Sequence, residues 1–229
     1  MEALAPAPVA TALARLSSMI VALELAPGAL VSEGQLVRML GCPPAEVRDA
    51  IPELRESGLI TVVPRAGIVI AEVSIADVQQ VIEARMAVEG YCARLAAVRA
   101  SPREIEELRR LSDAVAARSL DVDDWQMSYV DMDRGVHDYV AQIAGNPTLA
   151  RVLGRLLLAN ARIWNVFHLR ARGVTLHVSH DDTVEAIARH DPDGAEESVR
   201  RHVSLASRML GEAFDPLPGI RQPADPAIR

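Results

Sequence analysis

From Ser74 to about residue 212 the chain offers only helix-period patterning, and nothing limits its fold more. The spans predicted to be helical are 75–100, 102–118, 123–145, 147–171, 177–190 and 193–212. Their boundaries carry Ser101-Pro102, Asn146-Pro147 and Asp191-Pro192, residue pairs that start or stop helices. Half the residues are apolar but only 3% are aromatic, so the core must be built from Ala, Leu, Val and Ile. Ala and Leu are strong helix formers, which agrees with the periodicity. An all-helical bundle is therefore expected over 74–214, followed at 215–229 by a tail with four prolines that is expected to be loose.

The first 73 residues read differently. Leu13, Leu16, Ile20 and Leu23 give helical spacing over Val9 to Leu25, until Pro27-Gly28 ends it. Ser32 is placed to cap a short helix, Glu33 to Leu40, closed by Gly41. Pro43-Pro44 opens a third helix that runs to about Ser57 and stops at Gly58. Leu59-Ile60-Thr61-Val62-Val63 and Ile68-Val69-Ile70, joined by Pro64-Arg65-Ala66-Gly67, read as a β-hairpin. Three helices and a hairpin in this order describe a winged helix-turn-helix, whose second motif helix lies in the DNA major groove. The fold expected is thus mainly α, with a winged helix-turn-helix domain at 1–73 and a helical domain at 74–214.

Several function classes fall away. No apolar run approaches the ~20 residues of a membrane span, and Met1 to Ala10 lacks the basic start and apolar centre of a signal peptide. Cys42 and Cys92 make no disulfide framework, so a reducing cytoplasm is the expected location and both are expected to be inert core residues. The net charge of −7 argues against broad affinity for nucleic acid, although a local basic patch stays compatible with it. Nucleophile elbow, phosphate-cradling loop and dinucleotide fingerprint are all absent.

The order of parts resembles the GntR family of bacterial transcription regulators, in the FadR-like branch with an all-helical effector domain. In the first domain the resemblance rests on Pro27-Gly28, Leu30, Glu33, Leu36 and Leu40-Gly41, then on Val47-Arg48-Asp49-Ala50-Ile51, Leu54, Ser57-Gly58-Leu59-Ile60 and Gly67. In the second it rests on Arg85 with Glu89, Asp133-x-x-x-His137, Gly145-Asn146-Pro147, Ser179-His180 and Arg201-His202. The resemblance implies a homodimer, DNA binding by the first domain, and metal and ligand binding by the second.

Asp133 and His137 are four residues apart and share one helix face, a spacing that equally describes a surface ion pair. His180 and His202 stand where the family places ligands, and with them the resemblance implies one divalent ion per chain. Three imidazoles and a carboxylate suit Zn, Ni, Fe or Mn. His168, His177 and His190 lack such support and read as surface or packing residues. The family often keeps an arginine at the place of Arg85 that faces a ligand. A guanidinium there would grip a small organic acid bidentately, or it would pair with Glu89 at i,i+4. Asn160 and Trp164 are further ligand candidates or packing residues.

The DNA-reading half departs from the family pattern. Pro43 and Pro44 stand where Ser-Arg is usual, Pro52 lies inside the same helix, and Ala66 replaces an arginine of the wing. Over residues 11–73 five arginines face seven acids, a net −2 that is unusual on a phosphate-binding module. One reading keeps a ligand-responsive regulator that touches DNA through Arg38, Arg48 and Arg65. The other keeps the winged helix as a relic and makes the metal domain an enzyme acting on a small carboxylate.

Overall fold

The computed structural model of the chain describes residues 11–117, 127–170 and 179–214. The start of the first helix at Val9, the stretch containing His177 and the proline-rich tail lie outside them, as does the side chain of His168. The chain divides into two units, one formed by residues 1–74 with 155–166, the other by 75–154 with 167–229.

The first unit contains α1 (Ala12–Val21), β1 (Leu30–Val31), α2 (Glu33–Leu40), α3 (Pro44–Glu56), β2 (Ile60–Val63) and β3 (Gly67–Ile70). The two-residue β1 has no periodic signal in the sequence. It completes an antiparallel sheet of order β1-β3-β2 in which Val31 faces Ile68 and Val62 faces Ile68 from the other side. Gly67 adopts φ +131, and a Cβ there would sit 2.8 Å from the Val31 carbonyl, so the wing turn takes only glycine. The capping expectation for α2 is met on both sides. Ser32 and Gln35 form a capping box, and Gly41 closes the helix in the left-handed conformation. α1 ends at Val21 rather than Leu25. Leu23 takes φ +61, and the Leu25 N–H bonds back to the Met19 carbonyl. This turn lets Leu25 join Leu16, Ile20, Leu36, Val47 and Leu54 in an aliphatic core.

A segment distant in sequence, 155–166, completes this unit. Leu158 packs on its core, and Asn165 Nδ2 donates to the Val21 carbonyl at 2.7 Å, pairing one of the acceptors left over at the end of α1. Arg155 bonds Glu56 of α3 at 2.9 Å.

The described residues of the second unit are helical. They form α4 (Ile75–Arg99), α5 (Pro102–Ala116), α6 (Met127–Ile143), both ends of α7 (Pro147–Arg170), α8 (Asp181–Ala188) and α9 (Pro192–Phe214). The three X-Pro pairs act as the sequence suggests. Ser101 caps α5 in a box with Glu104, the Asn146 carboxamide accepts from the Thr148 and Leu149 N–H groups, and Asp191 accepts from that of Gly194. Proline then takes the first helical position, where its missing N–H costs nothing. α8 is shorter than the predicted 177–190. His180 occupies its N-cap, and His190 ends the turn beyond it at φ +52. α4 is the central helix. It buries Val78, Ile82, Cys92 and Ala96 together with two charged residues, Arg85 and Glu89. Gly90 lets α4 and α9 approach closely, since a Cβ there would lie 3.2 Å from the Arg200 guanidinium.

Candidate metal centre

Four side chains named from the sequence converge in the second unit. Asp133 and His137 lie one turn apart on α6, His180 caps α8, and His202 lies on α9. Their ligand atoms all fall within 4.8 Å of one another. His137 Nε2 is 3.3 Å from His180 Nε2, and the Asp133 carboxylate reaches His180 Nε2 at 3.3 Å and His137 Nε2 at 3.7 Å. The three imidazoles are buried, with ring centroids 4.5 to 5.1 Å apart.

The ionisation states follow from this crowding. Burial first, then the neighbouring His180 and His137, push His202 down to about 3, so at neutral pH it is an imidazole with a free lone pair. Burial acts to raise the Asp133 carboxyl, but His180, His137 and His202 together hold it below the ordinary carboxylate range. Among the described residues the Nδ1 atom of His180 is buried without a hydrogen-bond partner.

The residues fit a divalent transition metal. One carboxylate and three imidazoles are among its preferred donors. Bonds of about 2.0–2.1 Å put neighbouring ligand atoms roughly 3.0–3.4 Å apart in octahedral or tetrahedral coordination, near the 3.3 and 3.7 Å separations present here. Around the cluster lies a small cavity of about 10 Å³, room for about one water or ion, walled by Cys92, Val136, Val140, Leu153, Thr183 and Val199 along with Glu89 and the three histidines.

Behind the cluster stands a pair of charges. Arg85, 2% exposed, binds Glu89 through Nε and, at 3.3 Å, through Nη2. Glu89 Oε2 in turn lies 2.7 Å from His137 Nδ1. Burial raises the Glu89 carboxyl, but Arg85 and His137 outweigh it and hold the group at about 2. Burial also lowers His137, and Glu89 more than reverses that.

Of the two readings open for Arg85, the geometry gives the pair with Glu89, and its guanidinium is committed there. Asn160 and Trp164 are buried in the stretch of α7 that belongs to the first unit, and neither is among the described wall residues of the cavity. α7 contributes Leu153 to that wall instead. His190 bonds the Ala97 carbonyl at 2.8 Å and serves packing. Sequence reasoning missed the link from Glu89 to His137, because the i,i+4 spacing announces only the Arg85 partner. It also missed the Ser179 carbonyl 3.3 Å from His202 Nδ1, since backbone groups carry no sequence signal.

In the first unit Arg38, Arg48 and Arg65 are all exposed, and Arg48 stands 3.6 Å from Glu33. α3 begins without a side-chain cap at Pro43 and continues as helix through Pro52.

Residues 8–70 match the family described as bacterial regulatory proteins, gntR family, and residues 80–205 match the FCD domain. The second match alone covers more than half of the 229 residues, and the chain belongs to the GntR family of transcriptional regulators, in its FadR-like branch with an FCD domain. It is 25% identical to the regulator YcbG of Bacillus subtilis over 198 residues, 81% of this chain and 82% of that one. It is 27% identical to the repressor NanR of an Enterobacter species over 218 residues, 84% of this chain and 81% of that one. Among solved structures, McbR/YncC of Escherichia coli is similar in fold, with a TM-score of 0.73 at 15% identity over 89% of this chain and 97% of that one. No described helix is long and apolar enough to cross a membrane.

Proposed function

We propose that this GntR-family regulator works in the cytoplasm as a homodimer whose grip on DNA is set by a small organic acid bound at a divalent metal. The ion, Zn, Ni, Fe or Mn, is held by Asp133, His137, His180 and His202. One observation carries the reading: four metal-preferring donors from three elements meet at one buried locus around a small cavity. A six-coordinate ion here would keep two positions beyond its four protein donors, and its Lewis acidity would draw carboxylate or hydroxyl oxygens into them. With Arg85 engaged by Glu89, the metal is the principal anchor for the ligand. The aliphatic walls, Val136, Val140, Leu153 and Val199, close on the metal locus and must part to admit the acid.

DNA is contacted by the exposed Arg38, Arg48 and Arg65. Two copies related by a two-fold axis place their α3 helices about one DNA turn apart, or a multiple of it. The test is a titration of the metal-loaded protein against its own upstream DNA, with unrelated DNA as control and light scattering for mass. Retention of the upstream DNA, released by a small carboxylic acid, supports the regulator. A monomer counts against both the dimer and the regulator, and no retention at any salt together with turnover of a carboxylate replaces the regulator with an enzyme built on a relic winged helix.

A further inference from the structure

We propose that Glu89 is a positioning residue for the metal centre: its carboxylate takes the Nδ1 hydrogen of His137 and so turns Nε2 of that ring towards Asp133 and His180, while Arg85 fixes Glu89. The inference rests on the metal reading above and assigns a role outside the four donors.

The geometry argues for it in three steps. An ionised carboxylate can only accept a hydrogen bond, so the imidazole nitrogen facing it at 2.7 Å carries the hydrogen. The other nitrogen of a neutral ring then has the lone pair, and that nitrogen, Nε2, is the one 3.3 Å from His180 Nε2. A hydrogen bond from a ligating histidine to a carboxylate also makes the ring a stronger donor.

The second step explains Arg85. A lone buried carboxylate costs several kcal/mol and would be protonated or drawn towards water. Both Glu89 oxygens are engaged from one side by Arg85, through Nε and Nη2, and Oε2 is left facing the imidazole. The three residues form a chain, guanidinium to carboxylate to imidazole, running from α4 to α6 with every member buried. An ion pair kept only to tie α4 to itself would have no reason to aim an oxygen at a histidine on another helix.

The third step compares the three rings. His202 faces the Ser179 carbonyl at 3.3 Å through Nδ1, whereas His180 Nδ1 has no partner among the described residues. His137 alone among these rings has its Nδ1, the side away from the other donors, held by a carboxylate, so its orientation is set before the metal arrives.

The experiment measures Co(II) affinity by chelator competition, together with the ligand-field spectrum, for four proteins. These are the wild type, His180→Ala, Glu89→Gln and the double variant Arg85→Met/Glu89→Leu, which removes both charges so that neither remains buried alone. Melting of the metal-free proteins checks folding. The wild type is expected to bind Co(II) and His180→Ala to lose it. Glu89→Gln, which keeps an acceptor but no charge, should bind about 10-fold more weakly, and the double variant about 100-fold more weakly with an altered spectrum. Wild-type affinity and an unchanged spectrum in both Glu89 variants overturn the positioning role and leave the metal site standing. Failure of the wild type to take up Co(II) overturns the metal site and this proposal with it.

Discussion

The two units build their interiors from different materials. Around Leu16, Ile20, Leu36, Val47 and Leu54 the core of the first is aliphatic, and its sheet and three helices depend on close packing. Arg85, Glu89, His137, His180 and His202 are all buried in the second. Buried charges and unpaired ring nitrogens weaken a fold unless they partner each other or something brought in from outside. The first unit buries Asn160 and Arg162 as well, but it is in the second that three imidazoles, a carboxylate and a guanidinium are gathered at one locus, the arrangement that points to a bound ion. On its surface the first unit opens α3 with two prolines, at Pro43 and Pro44, and carries a net −2 over residues 11–73.

The largest expected effect belongs to the polar interior. Replacing His180 by Ala should take the metal content from about one per chain to none and remove the linked stabilisation, about 4 kcal/mol at a thousand-fold excess over Kd. Elemental analysis and melting with and without chelator read both quantities, and equal metal in variant and wild type would erase the contrast between the units. The aliphatic interior should answer differently. Leu54→Ala empties a fully buried site and should destabilise the first unit by about 3 kcal/mol in chemical denaturation while leaving metal stoichiometry unchanged.

A smaller gain is expected on the DNA face. Restoring arginine with Pro44→Arg should add about 2 kcal/mol of sequence discrimination and steepen the salt dependence of binding by about one contact, measured by DNA titration over a range of salt. No change in either slope or selectivity would mean that α3 does not lie in the groove. Smallest is Ser32→Ala, which removes the cap of α2 and should cost about 1 kcal/mol in a thermal melt without altering metal uptake.

Much of this molecule was legible before any coordinates. The cap at Ser32, the stop at Gly41, the three X-Pro helix starts and the hairpin through Gly67 are decided within a few residues by backbone stereochemistry. Asp133 and His137 were legible for the same reason, one helical turn apart on one face. His180 and His202 were nameable by resemblance alone.

What the sequence could not decide is everything that depends on which distant surfaces meet. That α1 stops at Val21 so that Leu25 reaches the core, that residues 155–166 pack with the first 74, and that Glu89, while paired with Arg85, also faces His137 all follow from long-range packing. Local rules fix the shape of each element because neighbours along the chain clash or bond at once. Which buried oxygen meets which ring nitrogen is set only when separate helices close around a shared interior, where an unpartnered polar group is too costly to leave.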